Sequence, residues 1–227
     1  MKIGFDRVYC ISYCRNIEKQ NSIRKVMEYL GIDFEFIYGA DYNNLNVLKY
    51  FKPFCEYIEN YPSWEYYTHL IGASYDHYTA VIHAYESGAN SVLIMEDDCA
   101  FINDVSYIQW ALNNYPNDAD IVKFGYLNIE LLAKNMLTID FSLKNQYILN
   151  EIDKNINFVG CQMYSLCNKE TIKKYIDRQQ NKFECVDNIH SEISNKYYAL
   201  VKPLAIDSLH GLHSKKYINE YNLNTII

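Results

Sequence analysis

Three consecutive carboxylates, Glu96, Asp97 and Asp98, follow directly on an apolar run that ends at Met95. Carboxylates at the end of a buried strand are costly unless a cation meets them. Their oxygens suit a hard divalent ion such as Mn2+ or Mg2+, which leaves coordination places open for phosphate oxygens. Because alternate residues of an extended segment point the same way, we expect Glu96 and Asp98 to face one side and Asp97 the other. A solvated turn or a helix N-cap is the alternative interpretation.

The elements that would position these residues follow an α/β pattern. Apolar runs and period-two alternation predict strands at residues 7–12, 32–36, 91–95, 121–124, 158–166 and 197–201. Helical spacing and capping residues predict helices at residues 23–30, 73–84, 104–112 and 169–178. The first strand, helix and strand form a βαβ unit, which indicates a parallel sheet. Ligands bind beyond the carboxyl ends of the strands in such a sheet, and the acidic triplet lies at one of those ends.

Composition and charge restrict the class of protein. The 227 residues are enough for one domain, which we predict to span residues 1–227. A net charge of -7, from 21 basic and 28 acidic residues, argues against a nucleic-acid partner. No apolar run is long enough to span a bilayer, and Asp6 and Arg7 stand where a signal peptide needs apolar residues. The odd count of 7 cysteines, without a CxxC pair, predicts free thiols in a reducing, cytoplasmic compartment.

Four segments together resemble glycosyltransferase family 25. They are RVYCISYCR (7–15), EYLGIDFEFIYGAD (28–41), IGASYDHYTAVIHAYESGANSVLIMEDDCAF (71–101) and DIVKFG (120–125). The family includes lipopolysaccharide galactosyltransferases and the collagen β-galactosyltransferase domain. Two departures stand out, since the family's Ser-His reads Asp76-His77 here and its Arg-rich N-terminal turn is reduced to Arg15.

The resemblance implies a single GT-A-like domain with a mostly parallel central sheet flanked by helices. It also implies a metal-dependent, inverting transfer of galactose, glucose or N-acetylglucosamine from a UDP-sugar to a glycan, lipid-linked or protein acceptor. The ion, Mn2+ or Mg2+, would be held by Asp98 with Glu96 or Asp97, and by His213 or His210, for which a surface loop is the alternative. Asp187 would be the base that takes the acceptor proton, and a helix N-cap is its alternative.

The donor nucleotide is expected at the ends of the first two strands. The residues predicted to contact it are Ile11, Ser12, Tyr13, Arg15, Ala40, Asp41, His77, Glu96 and Asp97. His77 lies on an apolar helical stripe, so a core histidine is the competing interpretation. Two rival functions remain open. One is a non-catalytic nucleotide-sugar-binding module, and the other is a metal-dependent phosphohydrolase, which would need a denser array of Asp and His.

Overall fold

The computed structural model describes residues 3–39, 64–102, 104–126, 149–151, 160–200, 203–207 and 225–226. Within these ranges the strands are β1 (Arg7–Ser12), β2 (Glu35–Tyr38), β3 (Val92–Glu96), β4 (Cys99–Ile102), β5 (Ile121–Gly125), β6 (Leu149–Glu151), β7 (Met163–Leu166), β8 (Tyr197–Leu200), β9 (Ala205–Asp207) and β10 (Thr225–Ile226). The helices are α1 (Ile17–Leu30), α2 (Trp64–Glu86), α3 (Val105–Asn113), α4 (Lys169–Asn181) and α5 (Val186–Ile193).

All the described strands belong to one mixed sheet in the order β10-β4-β9-β5-β7-β3-β1-β2, with β8 paired to β5 and β6 paired to β8. β1 runs parallel to β2 and β3, and β5 runs parallel to β8 and β9. β7 lies antiparallel between β3 and β5, while β4 and β6 are antiparallel to β9 and β8. Most of these strands therefore point the same way, which confirms the predicted α/β class with its mostly parallel sheet and flanking helices.

Helices pack on both faces of the sheet, and the strand residues alternate between the two cores. Val8, Cys10, Leu93 and Met95 pack with α1 and α3. Tyr9, Ile11, Val92 and Ile94 pack with α2, α4 and α5. Because consecutive strand residues point to opposite faces, a strand covered on both sides reads as a continuous apolar run. This is why the sequence shows β3 so clearly.

Capping residues fix the ends of several helices where the sequence predicts them. Asp104 accepts a hydrogen bond from the Tyr107 N–H at the start of α3, at 3.0 Å. Asn168 does the same for the Thr171 N–H at the start of α4, at 2.8 Å. Such caps satisfy backbone donors that the first turn leaves without partners. Gly31 ends α1 in the left-handed conformation, with φ 64°.

Several predicted boundaries are wrong. α1 begins at Ile17 and not at Ile23, and α2 begins at Trp64 and not at Ala73. The second strand begins at Glu35 and not at Ile32, because the Ile32 N–H donates to the Met27 carbonyl and closes the end of α1. The fifth predicted strand is regular only over Met163–Leu166. Gly160 itself, with φ 96°, adopts a conformation that a strand residue does not. Residues 158–159 lie outside the described residues.

The described cysteines are free thiols, as the sequence predicts. Among the helices that the structure describes, none combines the length and the apolar character needed to cross a membrane.

Candidate active site at the carboxyl edge of the sheet

Four functional segments meet at the edge where β1, β2 and β3 end. The Gly39 N–H donates to the Ser12 carbonyl at 2.8 Å, which joins the ends of β2 and β1. Ile11 is paired with Glu96 across β1 and β3. The Glu96 N–H donates to the Gln162 carbonyl at 3.0 Å, which joins β3 to the segment that precedes β7. This edge is where a parallel sheet binds its ligands.

Asp97 is held by hydrogen-bond donors from β1 and α1. The Ser12 hydroxyl donates to Asp97 Oδ2 at 2.7 Å, and the Asn16 amide donates to the same oxygen at 3.4 Å. Lys19 Nζ lies 3.5 Å from Asp97 Oδ1. Several donors on one carboxylate hold it in one orientation.

Asp98 shares the same lysine. Its Oδ2 lies 3.7 Å from Lys19 Nζ, so the two aspartates converge on one ammonium group. Residues 97 and 98 form a turn between β3 and β4, not an extended segment. The predicted alternation, with Glu96 and Asp98 on one side, is therefore wrong: Asp97 and Asp98 contact α1, and Glu96 contacts α2.

The triplet also acts on a thiol beneath it. Burial raises the pKa of Cys10 well above its ordinary value, and the charges of Asp97, Asp98 and Glu96 raise it further. Cys10 therefore stays a neutral core residue, and the negative charge at this edge is concentrated on the carboxylates.

Glu96 faces His77 on the α2 side of the sheet. Glu96 Oε1 lies 3.0 Å from His77 Nε2, and His77 Nδ1 lies 3.0 Å from the Tyr164 hydroxyl. An ionised Glu96 accepts only, so we assign the ring proton to Nε2, and the Tyr164 hydroxyl then donates to Nδ1. The His77 side chain is 1% exposed, so it is a core histidine by burial, and it contacts the acidic triplet through Glu96. Its contact with a donor nucleotide stays a prediction.

α2 also contacts the end of β2 through Asp76, which is buried. A Cβ added at Gly39 would collide with the Asp76 carboxylate, so a larger residue at this position would displace the Asp76 side chain. Asp76 and His77 together fix α2 against the ends of two strands.

Asp187 lies in the first turn of α5 and is paired with a buried lysine. Its Oδ1 accepts from the Gly160 N–H at 3.0 Å and from the Cys161 thiol at 3.0 Å. Lys123 Nζ lies 3.9 Å from the same oxygen, and the lysine side chain is 0% exposed. The helix N-cap is Cys185, so the N-cap alternative for Asp187 is wrong.

Lys123 is charged although it is fully buried. Burial alone would lower the pKa of this lysine, and the neighbouring Cys161, Tyr197 and Asp187 outweigh that effect and raise it. Its ammonium donates to the Gly160 carbonyl at 2.8 Å and to Cys161 Sγ at 3.0 Å. A buried charge needs partners of this kind.

The segment 160–162 connects Asp187 to the triplet. Gly160 and Cys161 bond Asp187, and the Gln162 carbonyl accepts from the Glu96 N–H and, at 2.7 Å, from the Cys99 thiol. The structure thus brings Asp187 and the acidic triplet to the same edge of the sheet. The spacing of 89 residues in sequence between Asp98 and Asp187 gives no sign of this.

Other predicted site residues have mixed outcomes. Ser12 contacts Asp97 directly, and the Tyr13 carbonyl accepts from the Gln20 amide at 2.9 Å. The Ile11 side chain is a core residue, and Arg15 lies exposed in the turn after β1. Ala40, Asp41, His210 and His213 lie outside the described residues.

Sequence reasoning missed Lys19, Lys123, Tyr164 and Gln162. Lys123 had a visible signal, since a lysine inside the apolar run of β5 is rarely buried without a partner. Lys19 and Gln162 had no signal in the sequence, because each of them contacts a segment that is distant along the chain.

The part of the chain that the structure describes contains no group of three or more His, Cys, Asp or Glu side chains placed to hold a metal ion. Comparison with known protein families found no family that matches this chain. Comparison with curated protein sequences found no match either. The resemblance to family 25 therefore depends on sequence motifs alone.

One histidine near the site makes stability depend on pH. Burial holds the pKa of His190 well below its ordinary value of 6.5, and the charges of Lys123 and His77 lower it further. The folded protein therefore keeps His190 neutral, while the unfolded chain takes up a proton below about pH 6.5. The stabilisation from this residue is complete above that pH and is lost as the pH falls.

We expect the free energy of unfolding of the wild type to decrease between pH 6.5 and 5.5, with His190 contributing up to about 1.4 kcal/mol per pH unit. His190→Gln should flatten this slope in urea unfolding measured at pH 7.5, 6.5 and 5.5. His83→Gln is the control, since His83 is exposed. An equal slope in wild type and His190→Gln would contradict the assignment.

Proposed function

We propose that this chain is a metal-dependent, inverting glycosyltransferase that moves a hexose from a UDP-sugar to an acceptor hydroxyl. The observation that carries the proposal is the convergence of Asp97 and Asp98 on one cation, the Lys19 ammonium, at the carboxyl edge of the sheet. A nucleotide diphosphate leaves as a polyanion, so positive charge must be gathered beside it. The resemblance of residues 71–101 to family 25 supports the same reaction.

The carboxylates fit Mn2+ or Mg2+ by the chemistry of their oxygens. Asp98 with Asp97 would hold the ion, because one cation, the Lys19 ammonium, already lies 3.7 Å and 3.5 Å from their respective carboxylates, whereas Glu96 faces His77 on α2. When bound, the ion supplies charge that stabilises the leaving diphosphate more in the transition state than in the ground state. A further ligand from His210 or His213 stays a prediction.

Asp187 is the proposed base. All three of its contacts within the described residues are made through Oδ1, and its side chain is 21% exposed. Oδ1 is thus fixed by the protein, which orients Oδ2 to receive the proton of the acceptor hydroxyl as that oxygen attacks the anomeric carbon. The bond between this carbon and the diphosphate breaks in the same step, with inversion.

The acceptor class follows the sequence expectation of a glycan, a lipid-linked sugar or a protein hydroxyl. The free thiols of the described cysteines support a reducing, cytoplasmic compartment as part of this proposal.

Calorimetry with UDP in the presence and absence of Mn2+ tests the proposal. We expect UDP to bind and its affinity to rise when Mn2+ is present, because Asp98 and Asp97 would hold the ion and its charge would attract the phosphates. A screen of UDP-galactose, UDP-glucose and UDP-N-acetylglucosamine should then show slow release of UDP from one donor. Absence of UDP binding would reject the proposal. UDP binding without release of UDP from any donor favours a binding module, and release of inorganic phosphate favours a phosphohydrolase.

A further inference from the structure

Gln162 lies between the two acidic parts of the site. Its neighbour Cys161 bonds Asp187, and its own carbonyl accepts from the Glu96 N–H and the Cys99 thiol. The backbone of Gln162 is thus fixed on both sides. Its side chain therefore starts from a fixed point at the carboxyl edge of the sheet.

The Gln162 side chain is 4% exposed, and within the described part of the chain its carboxamide oxygen has no hydrogen-bond partner. A buried acceptor without a donor destabilises the folded state, so native structures rarely keep one without a use. Unsatisfied polar groups of this kind collect at sites where a ligand supplies the missing partner.

Another buried glutamine shows what a structural role looks like. Gln179 donates through Nε2 to the Glu184 carbonyl at 3.0 Å and accepts through Oε1 from the Glu184 N–H at 2.9 Å. It is 3% exposed, so its burial matches that of Gln162. The two residues differ in whether the protein satisfies the carboxamide oxygen.

We propose that Gln162 is a donor-specificity residue whose carboxamide oxygen accepts a hydrogen bond from a hydroxyl of the transferred sugar. This inference rests on the proposed function. In an inverting displacement the sugar ring lies between the base and the leaving phosphate. The backbone of Gln162 lies on the segment that runs between the contacts of Asp187 and those of the acidic triplet, which is where the sugar would lie. Because a site built to bond a hydroxyl discriminates against analogues that lack it, Gln162 contributes to the choice of sugar.

The experiment compares Gln162→Met with the matched control Gln179→Met. The donor is the one of UDP-galactose, UDP-glucose and UDP-N-acetylglucosamine that binds the wild type most tightly. Calorimetry with Mn2+ present measures the affinity of the wild type and both variants for UDP and for this donor. Thermal unfolding without ligand measures stability. The ratio of UDP-sugar affinity to UDP affinity isolates the contribution of the sugar.

We expect Gln162→Met to keep UDP affinity and to lower the affinity ratio by about five- to tenfold, the effect of one lost hydrogen bond. Its Tm should stay the same or rise, because an unsatisfied buried acceptor is removed. Gln179→Met should keep the affinity ratio and lower the Tm by about 4 °C or more, since it leaves two partly buried backbone groups of Glu184 without their partner.

An unchanged affinity ratio in Gln162→Met overturns the inference and leaves the proposed function in place. The inference is also overturned, and the proposed function is kept, if Gln162→Met lowers the Tm as much as Gln179→Met does. A wild type that binds no donor more tightly than UDP gives the same result. Wild type that binds neither UDP nor any UDP-sugar overturns the proposed function, and the inference with it.

Discussion

Replacing Asp187 with alanine is expected to lower the free energy of unfolding by about 3–5 kcal/mol, because it leaves the fully buried Lys123 ammonium without its carboxylate. Lys123 is 0% exposed and 3.9 Å from Asp187 Oδ1. In the variant, the Gly160 carbonyl, the Cys161 sulfur and the Tyr164 ring remain as its described partners. None of them carries a full charge, because burial raises the pKa of the Cys161 thiol well above its ordinary value. Urea unfolding at pH 7.5 measures the loss.

A double variant separates the missing counter-charge from other effects of the substitution. Lys123→Met with Asp187→Ala should recover part of the lost stability, since an apolar side chain in place of the lysine needs no partner. Glu170→Ala is the control for an exposed ion pair, because Glu170 and Lys174 lie 2.7 Å apart on the surface of α4. It should change stability by less than about 1 kcal/mol. Equal stability losses in Asp187→Ala and Glu170→Ala would show that the buried pair is not formed.

Asp98→Asn is expected to reduce Mn2+-dependent transfer by about 1000-fold, which corresponds to about 4 kcal/mol of transition-state stabilisation. The substitution keeps the shape of the side chain and removes the charge that would hold the ion. The affinity for UDP in the presence of Mn2+ should fall, while the weaker affinity without Mn2+ should change little. Release of UDP from the donor, followed as Mn2+ is titrated, gives the transfer rate, and calorimetry gives the affinities.

The same substitution at Asp104 is the control. Asp104 caps α3 by accepting from the Tyr107 N–H, and asparagine caps helices as well as aspartate does. Asp104→Asn should therefore keep both stability and transfer. Full turnover in Asp98→Asn would remove this residue from the metal site.

The parts of the fold that sequence predicts well are those with local causes. β3 is visible because both of its faces are covered and every residue from Val92 to Met95 is apolar. The ends of α1 and α4 are visible because Gly31 and Asn168 act on backbone groups within one turn. Such signals need no knowledge of the rest of the chain.

The candidate site is predictable only in part, because its geometry depends on contacts between distant segments. The acidic triplet marks the right edge of the sheet. The direction of each carboxylate, however, is set by the turn at residues 97–98 and by Lys19, which lies 78 residues from Asp97. Likewise, the sequence suggests Asp187 through a family resemblance, but its pairing with Lys123 follows from how α5 packs beside β5. Periodicity contains no information on either contact.

The contacts that Asp76 and His77 make at the ends of β2 and β3 set a limit on how α2 can change during evolution. One residue inserted or deleted between this pair and the C-terminal end of the helix would rotate the pair by about 100° relative to that end. Both contacts would then break together, because adjacent residues turn as a unit. Length variation is thus expected outside the stretch from Asp76 to Glu86, and homologous chains that share this site should align through it without gaps.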